Sequence, residues 1–275
     1  MSDLKTLQAA LDQYVRLTHF PTAIKMLKQG DPLPPKAKRP QQDLGEQLAI
    51  CQGFAFARRY GWTIAIGRED ISCPLARIVW GFEPMLDYYL NGMTCAGFYT
   101  ETPAAGAVSE SEVARFAPGE YAYVLIAPLP RADFDPDVVL LYGNSAQVMR
   151  LVTAALWKRG GRIHSSFSGR IDCSDEVIVT LQTNDYQVVL PCNGDRIFAQ
   201  TQDDEMAFTI PGSKIDELIE GLAQTHKNGI RYPIPNWLRY TGRFPDQYTK
   251  MEAMWQEQKA DQPFGPQDAP TEERQ

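Results

Sequence analysis

The chain has 275 residues, 44% of them hydrophobic, with 27 Lys and Arg against 34 Asp and Glu, a formal net charge of −7. A chain of this length buries most of its apolar surface without a covalent staple, and an acidic balance with no segregated basic patch argues against nucleic acid and anionic membranes as partners. No stretch reaches eighteen uncharged apolar residues and the opening MSDLKTLQAALDQYV lacks the apolar core of a signal peptide, so the expected location is cytoplasmic, where five cysteines act as thiols rather than disulfides.

In chain order, a first helix is expected from Ser2 to about Arg16, where Leu4, Leu7, Leu11, Tyr14 and Val15 fall close to one face. TAIKML (22–27) reads as a strand, and DPLPPKAKRPQQ as an extended loop, because proline fixes φ and removes donors. A second helix from about Asp43 to Tyr60 carries Leu44, Leu48, Cys51 and Ala55 on its inward stripe and stops at Gly61. WTIAIG (62–67) is a strand, after which Ser72 caps a helix opening at Cys73 and Pro74. YAYVLIAPL (121–129) and DVVLLYG (137–143) are continuous apolar runs, as buried strands are. The second feeds a helix capped by Asn144 or Ser145 and stopped at Gly160 and Gly161. Strands follow at YQVVLP (186–191) and EMAFTIP (205–211), then a helix from Ser213 closed by Gly229. Residues 256–275 are polar and proline-bearing and are expected to form a disordered tail. The expected fold class is α/β or α+β: a mixed sheet with helices packed on it, in a single globular domain over residues 1–255.

Cys173 and Cys192 stand among charged, Gly and Pro neighbours where the chain must turn, unlike thiols used for packing. Together and in order, PTAIKML, AICQGFAFARRYG, REDISCPLA, APLPRADFDPDVVLLYGNSAQVMRLV, SSFSGRIDC, LPCNGDR, DDEMAFTIP and KNGIRYPIP resemble the uncharacterised ArCR family, domain of unknown function one-six-nine, over roughly residues 20 to 238. The resemblance implies that Cys51, Cys73, Cys173 and Cys192 lie within the family's motif strings and Cys95 outside them. It also implies a soluble, mostly prokaryotic protein that holds an iron–sulfur cluster, and it brings no assigned reaction.

The local settings suit thiolate ligands. Cys73 at a helix start has unsatisfied N–H groups nearby, Cys173 in GRIDC precedes another helix, and Cys192 lies in a Pro-Cys-Asn-Gly turn whose glycine is free to take φ > 0. There is no C-x-x-C: 21 residues separate Cys51 from Cys73, and 18 separate Cys173 from Cys192. Such scattered ligands suit a [4Fe–4S] cluster within a larger fold better than a zinc ribbon or finger, and zinc is the weaker alternative. Cys51 either completes the set or packs as core filler, and Cys95 is structural.

The expected function is that of a cluster-binding protein, a lyase or desulfidase acting on a small anionic metabolite through an open iron. The alternatives are an electron-transfer protein with four thiolate ligands, or an anion-binding or sensing module without catalysis. For the anion, Gly143, Asn144 and Ser145 at a helix start and Ser165, Ser166, Ser168, Gly169 and Arg170 are the candidate donors, although capping alone explains Asn144 and Ser145. Arg170, Arg196 and His164 are the catalytic candidates: the arginines either offset cluster charge or form ion pairs with Asp172 or Asp195, and His164 would serve a Cys–His pair with Cys173 or Cys192. Asp203, Asp204 and Glu205 read as a solvated loop. Trp237 and Tyr240, in the aromatic stretch IRYPIPNWLRYTGRFPDQY, are read as a candidate dimer arm, so a homodimer is the expected oligomer.

Overall fold

Two apolar runs rich in β-branched residues need partners on both faces, and the computed structural model, which describes residues 4–234 and 243–261, gives them that setting. Strands β1 (Thr22–Leu27), β2 (Ile64–Gly67), β3 (Tyr123–Pro128), β4 (Val138–Gly143), β5 (Gln187–Val189) and β6 (Met206–Pro211) form one sheet in the order β2-β3-β1-β4-β6-β5. All five pairings are antiparallel, with Ile24 opposite Ile126 and Val138, and Leu141 opposite Phe208. The fold is α+β. The parallel component anticipated for a mixed sheet is confined to isolated bridges, such as Lys38 with Ile64 and Leu48 with Ile71.

Alternate residues of a strand face opposite ways, and the sheet uses both faces. On one, Ile24, Val124, Ile126, Leu140 and Tyr142 pack with α2 (Ile50–Tyr60), α3 (Pro74–Val79) and a π-helical turn (Ser174–Val179) that continues into α7 (Thr180–Thr183). On the other, Ala23, Val139, Leu141, Phe208 and Ile210 pack with α1 (Leu4–Tyr14), α6 (Ser145–Ala155) and α9 (Ile215–Lys227). Between β2 and β3 run α4 (Asp87–Leu90) and α5 (Pro103–Ser111), and α8 (Asn193–Phe198) follows β5.

Several boundaries depart from the sequence reading for identifiable reasons. The helix expected over 43–60 is two pieces, a π-helical turn at Pro40–Leu44 and then α2, because Gly45 takes φ 72° and Leu48 pairs its N–H with Asp70 and its carbonyl with Ser72. Cys73, in extended conformation, occupies the cap position of α3 that Ser72 was expected to fill. Ser213 lies in a 3₁₀ turn and bonds Asn184 instead of capping α9. The chain divides into two compact units, Met1–Ile234 and Pro235–Gln275. In the second unit Asp246–Asp261 form α10, so residues 256–261 are helical where a disordered tail was expected. The rest of that tail, and Trp237 and Tyr240, lie outside the described residues.

Candidate metal centre

Four helical starts bring the thiols together. Cys51 is the second residue of α2, Cys73 the cap of α3, Cys173 precedes the π-helical turn, and Cys192 caps α8. All four line one cavity of about 140 Å³, together with Asp172, Asp195, Tyr99, Arg170 and Ile171. At each helical start the backbone N–H groups lack intrahelical partners, which favours negative charge on a nearby sulfur. Cys192 shows this directly: its Sγ accepts a hydrogen bond from the Asp195 N–H at 3.5 Å. The turn there is the first turn of α8, so Gly194 is helical and not at positive φ as expected.

Asp172 holds the arrangement in place. Its buried carboxylate accepts the N–H of Cys173 through Oδ1 and that of Cys192 through Oδ2, both at 2.9 Å, tying two cysteine segments to one side chain. Ile171 beside it has φ 52°, a strained conformation for a β-branched residue.

The cavity is rich in acids and poor in free cations. Burial, and after it the charge of Asp195, raises the Cys51 thiol far above its ordinary range; burial and Asp172 do the same to Cys173, and push Cys192 up to about 12. Burial also raises Asp172, against hydrogen bonds from Cys192 and Cys173, and burial plus the Asp172 charge lifts Asp195 to about 7. Asp195 is 1% exposed, and neither of its carboxylate oxygens has a hydrogen-bond partner of ordinary geometry among the described residues. Cys51, Cys173 and Cys192 thus favour the protonated form in the metal-free protein, and a cation entering the cavity would displace protons and compensate buried charge.

Neither arginine forms the ion pair expected of it. Arg170 lines the cavity, but its guanidinium is held by Glu110 in a buried bidentate pair, Nη1 to Oε2 at 2.9 Å and Nη2 to Oε1 at 2.8 Å, and lies 5.2 Å from the Tyr99 ring centre. Arg196 donates to the carbonyl of Gln202 and does not line the cavity. The ion pairs anticipated with Asp172 or Asp195 are thus absent among the described residues. His164 is exposed and lies outside the lining, so it stands apart from Cys173 and Cys192. Cys95 is fully buried and donates to Glu110 at 3.2 Å.

The anion candidates separate. Asn144 caps α6 by accepting the Gln147 N–H, Gln147 returns the bond to the Asn144 N–H, and its amide donates to the carbonyls of Val15 and Arg16. Space beside Gly143 is filled by Gln147 and Leu17. This end of α6 leads onto the sheet face opposite the thiols. Ser168 lines a second cavity of about 430 Å³ beside α5, next to Gly169, which takes φ 69°. That cavity shares Tyr99, Arg170 and Ile171 with the thiol cavity. A larger one, about 470 Å³, lies elsewhere, beside Arg39, Arg68 and Glu83.

Three contributors escaped the sequence reading. Asp172 and Asp195 were weighed only as ion-pair partners, and Tyr99 not at all. A carboxylate next to one cysteine and another three residues after the second was the available signal. Glu205, assigned to a solvated loop, is 7% exposed and bonds Arg58, Arg59 and His19.

The family model described as uncharacterised ArCR, domain of unknown function one-six-nine, matches residues 10–221. The chain belongs to the ArCR family. The match contains all four cavity cysteines and ends before the KNGIRYPIP string that the sequence reading included. An uncharacterised protein of Methanocaldococcus jannaschii is 33% identical to this ArCR chain over 97 residues, which is 35% of this chain and 42% of that protein, so the match spans less than half of the relative's length. No solved structure matches the chain. Among the described residues no helix is long and apolar enough to cross a membrane, and no three His, Cys, Asp or Glu side chains are arranged to hold one metal ion.

Proposed function

We propose that this ArCR chain binds an iron–sulfur cluster through Cys73, Cys173 and Cys192, with Cys51 as the fourth thiol of the cavity. One observation carries the reading: four cysteines from segments as far apart as residues 51 and 192 line a single cavity. The donor set fits such a group. A cluster spreads its thiolates over several irons, so its ligands stand farther apart than the four around one tetrahedral ion. When bound through three thiolates, a [4Fe–4S] cluster supplies one open iron as a Lewis acid, which is the basis of the lyase or desulfidase reading. The chain's own part is to present a helical N–H to the Cys192 sulfur and to fix Cys173 and Cys192 through Asp172.

Anaerobic purification and reconstitution with ferrous iron and sulfide test the reading. The expected product is brown, carries iron and acid-labile sulfide in similar amounts, and loses at least half of both in Cys73→Ala, Cys173→Ala or Cys192→Ala. A colourless, iron-free protein after reconstitution with all thiols reduced overturns it. Retention of the full cluster in Cys51→Ala assigns Cys51 to packing, alongside Ala49, Ala55 and Ala199.

A further inference from the structure

The 430 Å³ cavity beside α5 shares the wall formed by Tyr99, Arg170 and Ile171 with the thiol cavity, and its lining has a consistent chemical bias. Its one cationic side chain, Arg170, has its charge matched by Glu110 in the buried bidentate pair. Two carboxyl side chains, Glu112 and Asp175, also line it, and no ion pair engages either among the described residues.

The hydroxyls extend that bias. Thr100 donates to the Thr102 carbonyl, Ser109 to that of Ala105, and Ser168 to that of Arg170. A hydroxyl whose hydrogen is committed to the backbone has only lone pairs left to offer. The chamber therefore presents acceptors from several sides, while Tyr99 and Phe167 contribute aromatic surface of the kind that favours cations.

We propose that this second cavity is a ligand chamber beside the thiol centre, and that it takes a small organic cation, of the primary alkylammonium class, rather than the anion expected from sequence. The ammonium group lies among Glu112, Asp175 and the Thr100 and Ser109 oxygens. The chamber's role as a substrate site rests on the thiol cavity being the reacting centre, but its charge preference does not, and the experiment below uses metal-free protein. The two readings thus fail separately.

Ser166 lines the chamber, so Ser166→Cys places a reporter thiol there, and Thr100→Cys places a second at another point of the lining. Each variant is labelled with 2-aminoethyl methanethiosulfonate and with 2-sulfonatoethyl methanethiosulfonate, and modification at the new cysteine is followed by peptide mass spectrometry. After normalisation to a small free thiol, the cationic reagent should react about tenfold faster or more, the low end of the range expected for a focused local potential. That ratio should fall toward one when Glu112→Gln and Asp175→Asn are added. Ethanolamine should slow labelling, and glycolate, matched in size and hydroxyl but opposite in charge, should not. Equal rates for the two reagents, faster labelling by the sulfonate, or protection by glycolate instead of ethanolamine would each overturn the proposal.

Discussion

Arg58 and Glu205 show how much rests on single residues. Arg58 is 2% exposed, donates to Glu205 at 2.8 Å and to the Thr201 hydroxyl at 2.7 Å, and stacks 3.9 Å over the Tyr142 ring, whose own hydroxyl donates to buried Glu176. Removing one partner of such a pair leaves the other buried and uncompensated, so Arg58→Met should cost about 3–5 kcal/mol, read as a lowered urea midpoint. Burial alone would raise the Glu205 carboxyl, but His19, Arg58 and the Gln202 N–H outweigh it and hold it at about 2, below its ordinary 4.5. The depressed value fixes the sign: the stabilisation is complete above pH 4.5 and is lost as pH falls from there toward 2, with a full size on the order of 3 kcal/mol. Urea unfolding of the native chain and Glu205→Gln at pH 6, 4 and 3 should therefore show a gap that narrows with acid; a constant gap would mean that the ionised carboxylate is not the source. Asp172 matters through its two backbone partners. Asp172→Asn keeps one oxygen for two N–H groups, so about 1–3 kcal/mol of stability and part of the iron loading should go together. Loss of stability with full loading would reduce Asp172 to a purely structural residue.

Among the elements, continuous apolar runs announced β3 and β4 because burial on both faces leaves no alternation to confuse them. Gly61 stopped α2 as its position required, with φ 72°. What a local reading missed depends on partners distant in sequence: the break at Leu48 comes from bonds to Asp70 and Ser72, and the Arg170–Glu110 pair spans 60 residues. The same limit governs the site. That the cysteines belong at helical starts was visible for Cys73 and Cys173, whereas the clamp by Asp172 and the capping role of Cys192 needed the chain folded. One element contact is closer than sequence suggests. A Cβ on Gly221 of α9 would lie 2.0 Å from the Ala154 carbonyl oxygen of α6, so the two helices touch through backbone. Because that oxygen belongs to a helix packed on the sheet, it cannot swing aside as a side chain would. Gly221→Ala should therefore destabilise the protein by about 3 kcal/mol, the upper end for overpacking, despite alanine's better helix propensity. An unchanged urea midpoint by circular dichroism would show that α6 and α9 can separate slightly without cost.

At the scale of the molecule, the sheet sorts the chemistry. The thiols collect on the side served by α2, α3 and the π-helical turn, while α1, α6 and α9 fill the other side with apolar packing and an internally satisfied helix start. This is why the sequence candidates at Gly143–Ser145 and at Ser168–Gly169, only two dozen residues apart, do not form one anion site. Both cores and every residue of the thiol cavity and of its neighbouring chamber lie within Met1–Ile234. Stability of a domain comes chiefly from the apolar surface it buries, and among the described residues those doing so precede position 235. A chain ending at Ile234 should accordingly unfold in urea in one cooperative step, within about 1 kcal/mol of the full-length protein, a change the size of an ordinary single substitution. It should also take up the same iron per chain on reconstitution. A broadened transition, or iron uptake reduced by more than half, would show that residues 235–275 help to hold the four helical starts in position.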